Sequence, residues 1–146
     1  MTARRDRQRR RVYAWEDREV APRDPSTVPF AAAPGMVAAI WADLGLRYPP
    51  AVDRLPGQAR STIAAANRLA LRLPAQTPSW CLLHELAHAL SSTHEGRTDG
   101  HGPVFMGLYV QLLARYLRLD AAALLRSLAA AGIAVAPDAR PVFLDG

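Results

Sequence analysis

The stretch Cys81-Leu82-Leu83-His84-Glu85-Leu86-Ala87-His88-Ala89-Leu90 holds two histidines four residues apart with a glutamate directly after the first. On a helix of 3.6 residues per turn, His84 and His88 project from one face, so two imidazole nitrogens can converge on a single ion. Glu85 lies about 100° further round, placed to reach a water on that ion rather than the ion itself. The chemistry this spacing suggests is a catalytic Zn²⁺ with three protein ligands, a water in the fourth position and Glu85 as general base. With four His and four Glu in the chain, the pattern would arise by chance about three times in a thousand. The competing reading is a core helix that happens to carry these residues. Leu82, Leu83, Leu86, Ala87 and Leu90 wrap the helix in apolar surface, so all three polar groups would be driven inward, and burying them without partners would cost several kcal/mol, roughly. A metal and a water satisfy all three.

Two ligands require a third. No glutamate follows Glu95, so a distant Glu on a later helix cannot complete the site. His94 has the spacing of the metzincin pattern, in which a glycine three residues after the second His lets the chain turn sharply; Ser91 stands there instead, and serine enters a left-handed conformation at a cost of about 1–2 kcal/mol. His101 precedes Gly102-Pro103 and a helix rich in core residues, which would hold it rigidly. His101 is therefore preferred to His94, with Asp99 behind both because imidazole is the commoner ligand. Cys81 shares a face with His88, but a lone cysteine on such a helix reads first as a small buried hydrophobe.

These residues need elements to position them. Residues 4–20 contain strong helix formers, with Val12 and Trp15 on one face and Arg9, Arg10 and Arg11 free for solvent; residues 22–33, with Pro22, Pro25 and Pro29, read as an extended linker. Pro34 opens a helix whose Val37, Ile40, Trp41 and Leu44 form one stripe, stopped by Gly45 and expected to pack on a sheet. Pro49, Pro50 and Pro56-Gly57 leave the next stretch as loop. Residues 61–73 suggest a hairpin turning at Asn67. Thr77 or Ser79 can cap the motif helix, with Pro78 in its first turn. After a loop from Ser92 to Gly102, Pro103 starts a helix to about Arg118, facing the core with Val104, Phe105, Leu108, Leu112 and Leu113. A last helix runs from Asp120 to about Ala131, and residues 133–136 and 142–144 are short strands or tail. The expected class is α+β, one domain over residues 1–146: a small sheet with a hairpin packed on the motif helix, then further helices.

Composition bounds the function. No apolar run reaches the roughly 20 residues needed to span a bilayer, and no apolar stretch follows the N-terminal charges. With Cys81 as the sole cysteine, no intramolecular disulfide is possible. A cytoplasmic protein without membrane association is expected. Residues 1–11 hold six Arg and one Asp, accounting for the whole net charge of +5. This start is either a solvated helix face or a nucleic-acid contact, and the lack of interleaved aromatics favours the former.

His84-Glu85-Leu86-Ala87-His88, a twelve-residue loop, then His101-Gly102-Pro103-Val104-Phe105 resembles the SprT-like zincin metallopeptidases. More narrowly, Arg5-Asp6-x-Gln8 with Val12-Tyr13, Glu16 and Leu73-Pro74 is similar to a little-characterised bacterial and phage family of small metallohydrolases. The resemblance implies a zincin-like fold, His101 as third zinc ligand, and a sheet edge, for which Leu69–Leu73 is the natural strand, that aligns an extended peptide or protein substrate. It lacks the paired cysteines of the zinc ribbon common in SprT-like repair proteases, so a DNA-repair role does not carry over. The expected activity is zinc-dependent peptide hydrolysis, with Glu85 moving the proton and Tyr109, Tyr116 or His94 as possible oxyanion donors. Rivals are a hydrolase of non-peptide amides or other small molecules, and a nucleic-acid-associated module with a structural zinc.

Overall fold

Alternation at Ala70-Leu71-Arg72-Leu73 buries Leu71 and Leu73 completely and turns Arg72 to solvent, the period-two pattern of a strand covered on one face. The computed structural model describes residues 6–55 and 65–143. Within them the chain is a small α+β protein. Its helices are α1 (Arg9–Trp15), α2 (Ala33–Asp43), α3 (Ser79–Leu90), α4 (Pro103–Tyr116) and α5 (Ala121–Ala130). Its strands are β1 (Thr27–Pro29), β2 (Ala51–Arg54), β3 (Ala65–Ala66), β4 (Ala70–Leu73) and β5 (Gln76–Pro78).

β4 is the centre of a three-stranded sheet in the order β2-β4-β3. β3 pairs with it antiparallel across a turn in which Asn67 Oδ1 accepts the amides of Leu69 and Ala70 at 2.8 and 2.9 Å. This is the hairpin expected around Asn67, although residues 61–64 lie outside the described residues. β2 runs parallel to β4, with Ala51 opposite Ala70 and Arg54 opposite Leu73. Two expectations are corrected here. The proline-bracketed stretch before Pro56 holds a strand, because Pro49 and Pro50 lie just outside it and leave its amides free to pair. And Leu69–Leu73 is not a sheet edge, since β4 has a neighbour on either side.

The segment 22–33 is likewise not a linker. It makes a short 3₁₀ turn (Ala21–Arg23), then β1, which pairs antiparallel with β5 immediately before α3. Its prolines are accommodated because β1 is only three residues long and Pro29 is its last. The same segment caps the motif helix. Asp24 Oδ2 accepts the Trp80 amide at 3.0 Å, and Ser26 Oγ lies 2.7 Å from Ser79 Oγ. Position N-cap is Pro78, which has no side chain to donate or accept, so the cap comes from Asp24 rather than from Thr77 or Ser79.

One apolar core joins the helices and the strands. α2 buries Val37, Ile40 and Trp41 and lies against β2; Gly45, at φ +80°, ends it in the left-handed conformation only glycine enters without cost. α3 and α4 form the most extensive helix pair, joining Leu82, Leu83, Leu86, Phe105, Leu108, Leu112 and Leu113. α1 is shorter than residues 4–20: after Trp15 it loosens into a π-helical turn, Glu16–Val20. Residues 133–139 form no strand. They fold back on α4, where the Ala136 amide donates to Pro103 O at 3.0 Å and the Ala136 carbonyl sits where a Cβ on Gly107 would be. Among the described residues no helix is long and apolar enough to cross a membrane.

Candidate metal centre

α3 delivers His84, Glu85 and His88 from one turn, and the loop before α4 returns His101 to them. His84, Glu85 and His101 are buried and His88 half-buried. His101 Nε2 lies 3.2 Å from His88 Nε2 and 3.3 Å from His84 Nε2. One ligand atom from each of the three lies within 4.8 Å of the others, an arrangement that could hold a metal ion. Their rings pack around Phe105, which stacks on His88 at 4.3 Å between centroids and meets the other two edge-on at 5.0 Å.

The loop geometry explains why His101 arrives and His94 does not. Ser91 ends α3 at φ −96°, so the chain leaves the helix without the left-handed turn that would swing His94 back. His94 is exposed, outside the histidine cluster, its ring meeting that of Phe143 edge-on at 6.4 Å. Asp99 is occupied as a helix cap, its carboxylate accepting the amides of Val104 at 2.7 Å and Phe105 at 3.3 Å at the start of α4. A Cβ on Gly102 would meet Asp99 Oδ2 at 2.6 Å, so glycine beside His101 makes room for that cap. Cys81 is outside the cluster, and burial, with the charges of Glu85 and Glu16, pushes its thiol up to about 12.

Two carboxylates from the N-terminal segment orient the histidines. Glu16 Oε2 accepts from His84 Nδ1 at 2.5 Å and from the Tyr109 hydroxyl at 2.6 Å. Asp6 Oδ2 accepts from His101 Nδ1 at 2.5 Å and from the His101 amide at 3.0 Å. With Nδ1 donating, each ring carries its lone pair on Nε2, the atom turned toward the other histidines. Within the motif Asp6-x-Gln8 with Tyr13 and Glu16, these contacts give Asp6 and Glu16 a role: each fixes the ring of one histidine. A signal for Glu16 was present. Val12, Glu16 and Val20 are spaced by four residues and all buried, so a carboxylate lies inside an apolar stripe and needs a partner there.

Burial and charge set the protonation of the cluster. Desolvation, with the Glu16 charge adding to it and His84 opposing, pushes the Glu85 carboxyl up to about 7. Burial disfavours the charged form of His84, but the hydrogen bond and charge of Glu16 outweigh it and raise its pKa. His88 is held well below the ordinary histidine value by burial and by its two histidine neighbours. His101 is also lowered, burial outweighing Asp6. Of the three suggested oxyanion donors, Tyr109 gives its hydroxyl to Glu16 and Tyr116 to Asp43, while His94 is exposed outside the cluster. Tyr13 is an exposed aromatic beside the cluster, its ring 5.2 Å from that of His101 and 6.1 Å from that of His84. No family model, curated protein or solved structure matches the chain.

Proposed function

We propose that this chain is a zincin-like zinc hydrolase of the SprT-like type, acting on peptide bonds. The observation that carries the reading is the convergence of three imidazole Nε2 atoms on the helix turn that also holds the buried carboxyl of Glu85. In a tetrahedral site with Zn–N bonds of about 2.05 Å, ligand nitrogens are separated by about 3.3 Å; the separations of 3.2 and 3.3 Å fit that edge. The donor set suits zinc: three imidazoles, two of them buried and each held by a carboxylate. Bound Zn²⁺ would lower the pKa of a coordinated water to about 7 and polarise a substrate carbonyl.

The remaining chemistry belongs to the protein. His84, His88 and His101 would hold the ion, with Glu16 and Asp6 fixing the ring directions. Glu85, buried on the same turn of α3, would take a proton from an attacking water and return it to a leaving amine. Phe105 and Tyr13 line the histidines with apolar ring surface, which strengthens electrostatic interactions at the site. An extended substrate would add to β3 rather than β4, because β3 has a neighbour on one side only among the described residues and lies against α3.

The test is hydrolysis of unfolded protein by zinc-loaded chain, with and without single-stranded DNA, beside Glu85→Gln and a panel of small amides. Cleavage of unfolded protein that vanishes in Glu85→Gln supports the proposal. Cleavage confined to small amides would move the substrate to that class, and a fully active Glu85→Gln would remove Glu85 as the base.

A further inference from the structure

The N-terminal arginine segment makes contacts that a merely solvated helix face would not. Asp6 holds His101 through both its ring and its amide. Gln8 Nε2 donates to the His101 carbonyl at 2.8 Å and to Ala134 O at 3.2 Å, and Gln8 Oε1 accepts the Ala134 amide. Arg11 Nη1 donates to Gly132 O at 3.1 Å. Gly100, at φ +66°, leaves the space Asp6 enters: a Cβ there would lie 2.8 Å from Asp6 Oδ2. Further along, Val12 and Trp15 are fully buried and Trp15 Nε1 donates to Ser127 Oγ at 2.8 Å, so the segment is anchored at that end. Among the described residues, the side-chain hydrogen bonds of residues 6–11, one local contact to Tyr13 aside, go to the His101 corner and to residues 132–134.

We infer that residues 6–11 are a strap whose docking positions the third metal ligand, so that metal binding and strap docking are thermodynamically coupled. This rests on the metal reading of the three-histidine site. Undocked, His101 would lose the acceptor that fixes its ring and the partner that holds its loop, leaving His84 and His88 as a two-ligand site. Docked, the strap brings a carboxylate against His101 and buries Asp6 Oδ1 without a partner among the described residues, a cost that a nearby dication offsets. Each state therefore favours its counterpart: the docked strap raises metal affinity, and the metal by the same factor favours docking. Asp6 and Gln8 are positioning residues in this scheme, acting on the metal through His101.

The strap carries its own reporter, because Arg7, Arg9, Arg10 and Arg11 are exposed trypsin sites whose cleavage requires the segment to open locally. The full-length chain is digested with trypsin in chelator and with one equivalent of zinc, and zinc affinity is measured by chelator competition for wild type, Asp6→Asn and the exposed control Asp17→Asn. We expect zinc to slow cleavage after Arg7–Arg11 at least about tenfold through mass action. We expect Asp6→Asn to bind zinc about 10–100-fold more weakly, the usual effect of losing the carboxylate behind a ligating histidine, and Asp17→Asn to match wild type. Circular dichroism of metal-free Asp6→Asn establishes that it folds, and the wild-type digestion needs no variant. Zinc bound at one per chain with unchanged cleavage, or with full affinity in Asp6→Asn, overturns the strap while leaving the metal site standing. A wild-type chain that binds no zinc overturns both.

Discussion

Replacing Glu85 with glutamine should stabilise the metal-free chain strongly at pH 8 and only slightly at pH 5. The buried carboxyl has its pKa pushed from an ordinary 4.5 to about 7. Between those values the folded chain keeps a proton that the unfolded chain has released, so fewer protons are bound on unfolding and stability falls as pH rises. The loss begins above pH 4.5 and is complete above about 7. Integrating the two titrations gives a penalty of about 1 kcal/mol at pH 5 and about 3 kcal/mol at pH 8, an upper figure because the group is coupled to His84 and Glu16. Glutamine has the same shape and does not titrate, so Glu85→Gln removes the penalty, while the titrations of other groups largely cancel in the comparison. Urea unfolding of both chains in chelator, at the two pH values, measures the difference directly. A gain in unfolding free energy that is larger at pH 8 than at pH 5 is the expected result. Equal differences at both values, or a less stable Glu85→Gln at pH 8, would refute the argument that this carboxylate is buried against its own charge.

Two further substitutions probe the supports of the site. Tyr109→Phe removes the hydroxyl that Glu16 accepts at 2.6 Å inside a fully buried site. A hydrogen bond to a charged group contributes about 1.5–3 kcal/mol, so calorimetry should show a melting midpoint lower by roughly 3–12 °C; an unchanged midpoint would mean that Glu16 does not depend on this hydroxyl. Gly107→Ala would raise helix propensity by about 1 kcal/mol, yet the new Cβ would stand 1.7 Å from the Ala136 carbonyl oxygen. Neither side of that contact is a flexible side chain, so residues 133–139 would have to lift from α4, and urea unfolding should show a net loss of at least about 3 kcal/mol. A stabilised Gly107→Ala would place this tail elsewhere.

What could be read from residues alone followed sequence distance. His84, Glu85 and His88 share one helical turn, so their relation is fixed by helix geometry before any tertiary contact forms. His101 was legible because Gly102-Pro103 announces a helix start beside it, and Asn67 because its side chain can close its own turn. The α2 stripe was similarly local. Asp6 and Glu16 were not legible as partners of His101 and His84, since they lie 95 and 68 positions away. The strand β2 was hidden for a related reason: its pairing with β4 is parallel and non-local, and its burial pattern carries no alternation to betray it. β1 is three residues among prolines, too short for a period to show. The edge-strand expectation failed with it, because whether a strand is central depends on what pairs beside it, and β2 was read as loop.

The most direct test of the central claim is a paired measurement on one preparation: zinc content per chain, and hydrolysis of an unfolded protein by wild type and Glu85→Gln. A three-histidine zinc site with Glu85 as its base predicts one zinc in both chains, lost when His101 is replaced by alanine, with cleavage by wild type alone. Zinc at full occupancy in His101→Ala, or equal cleavage by Glu85→Gln and wild type, would contradict it.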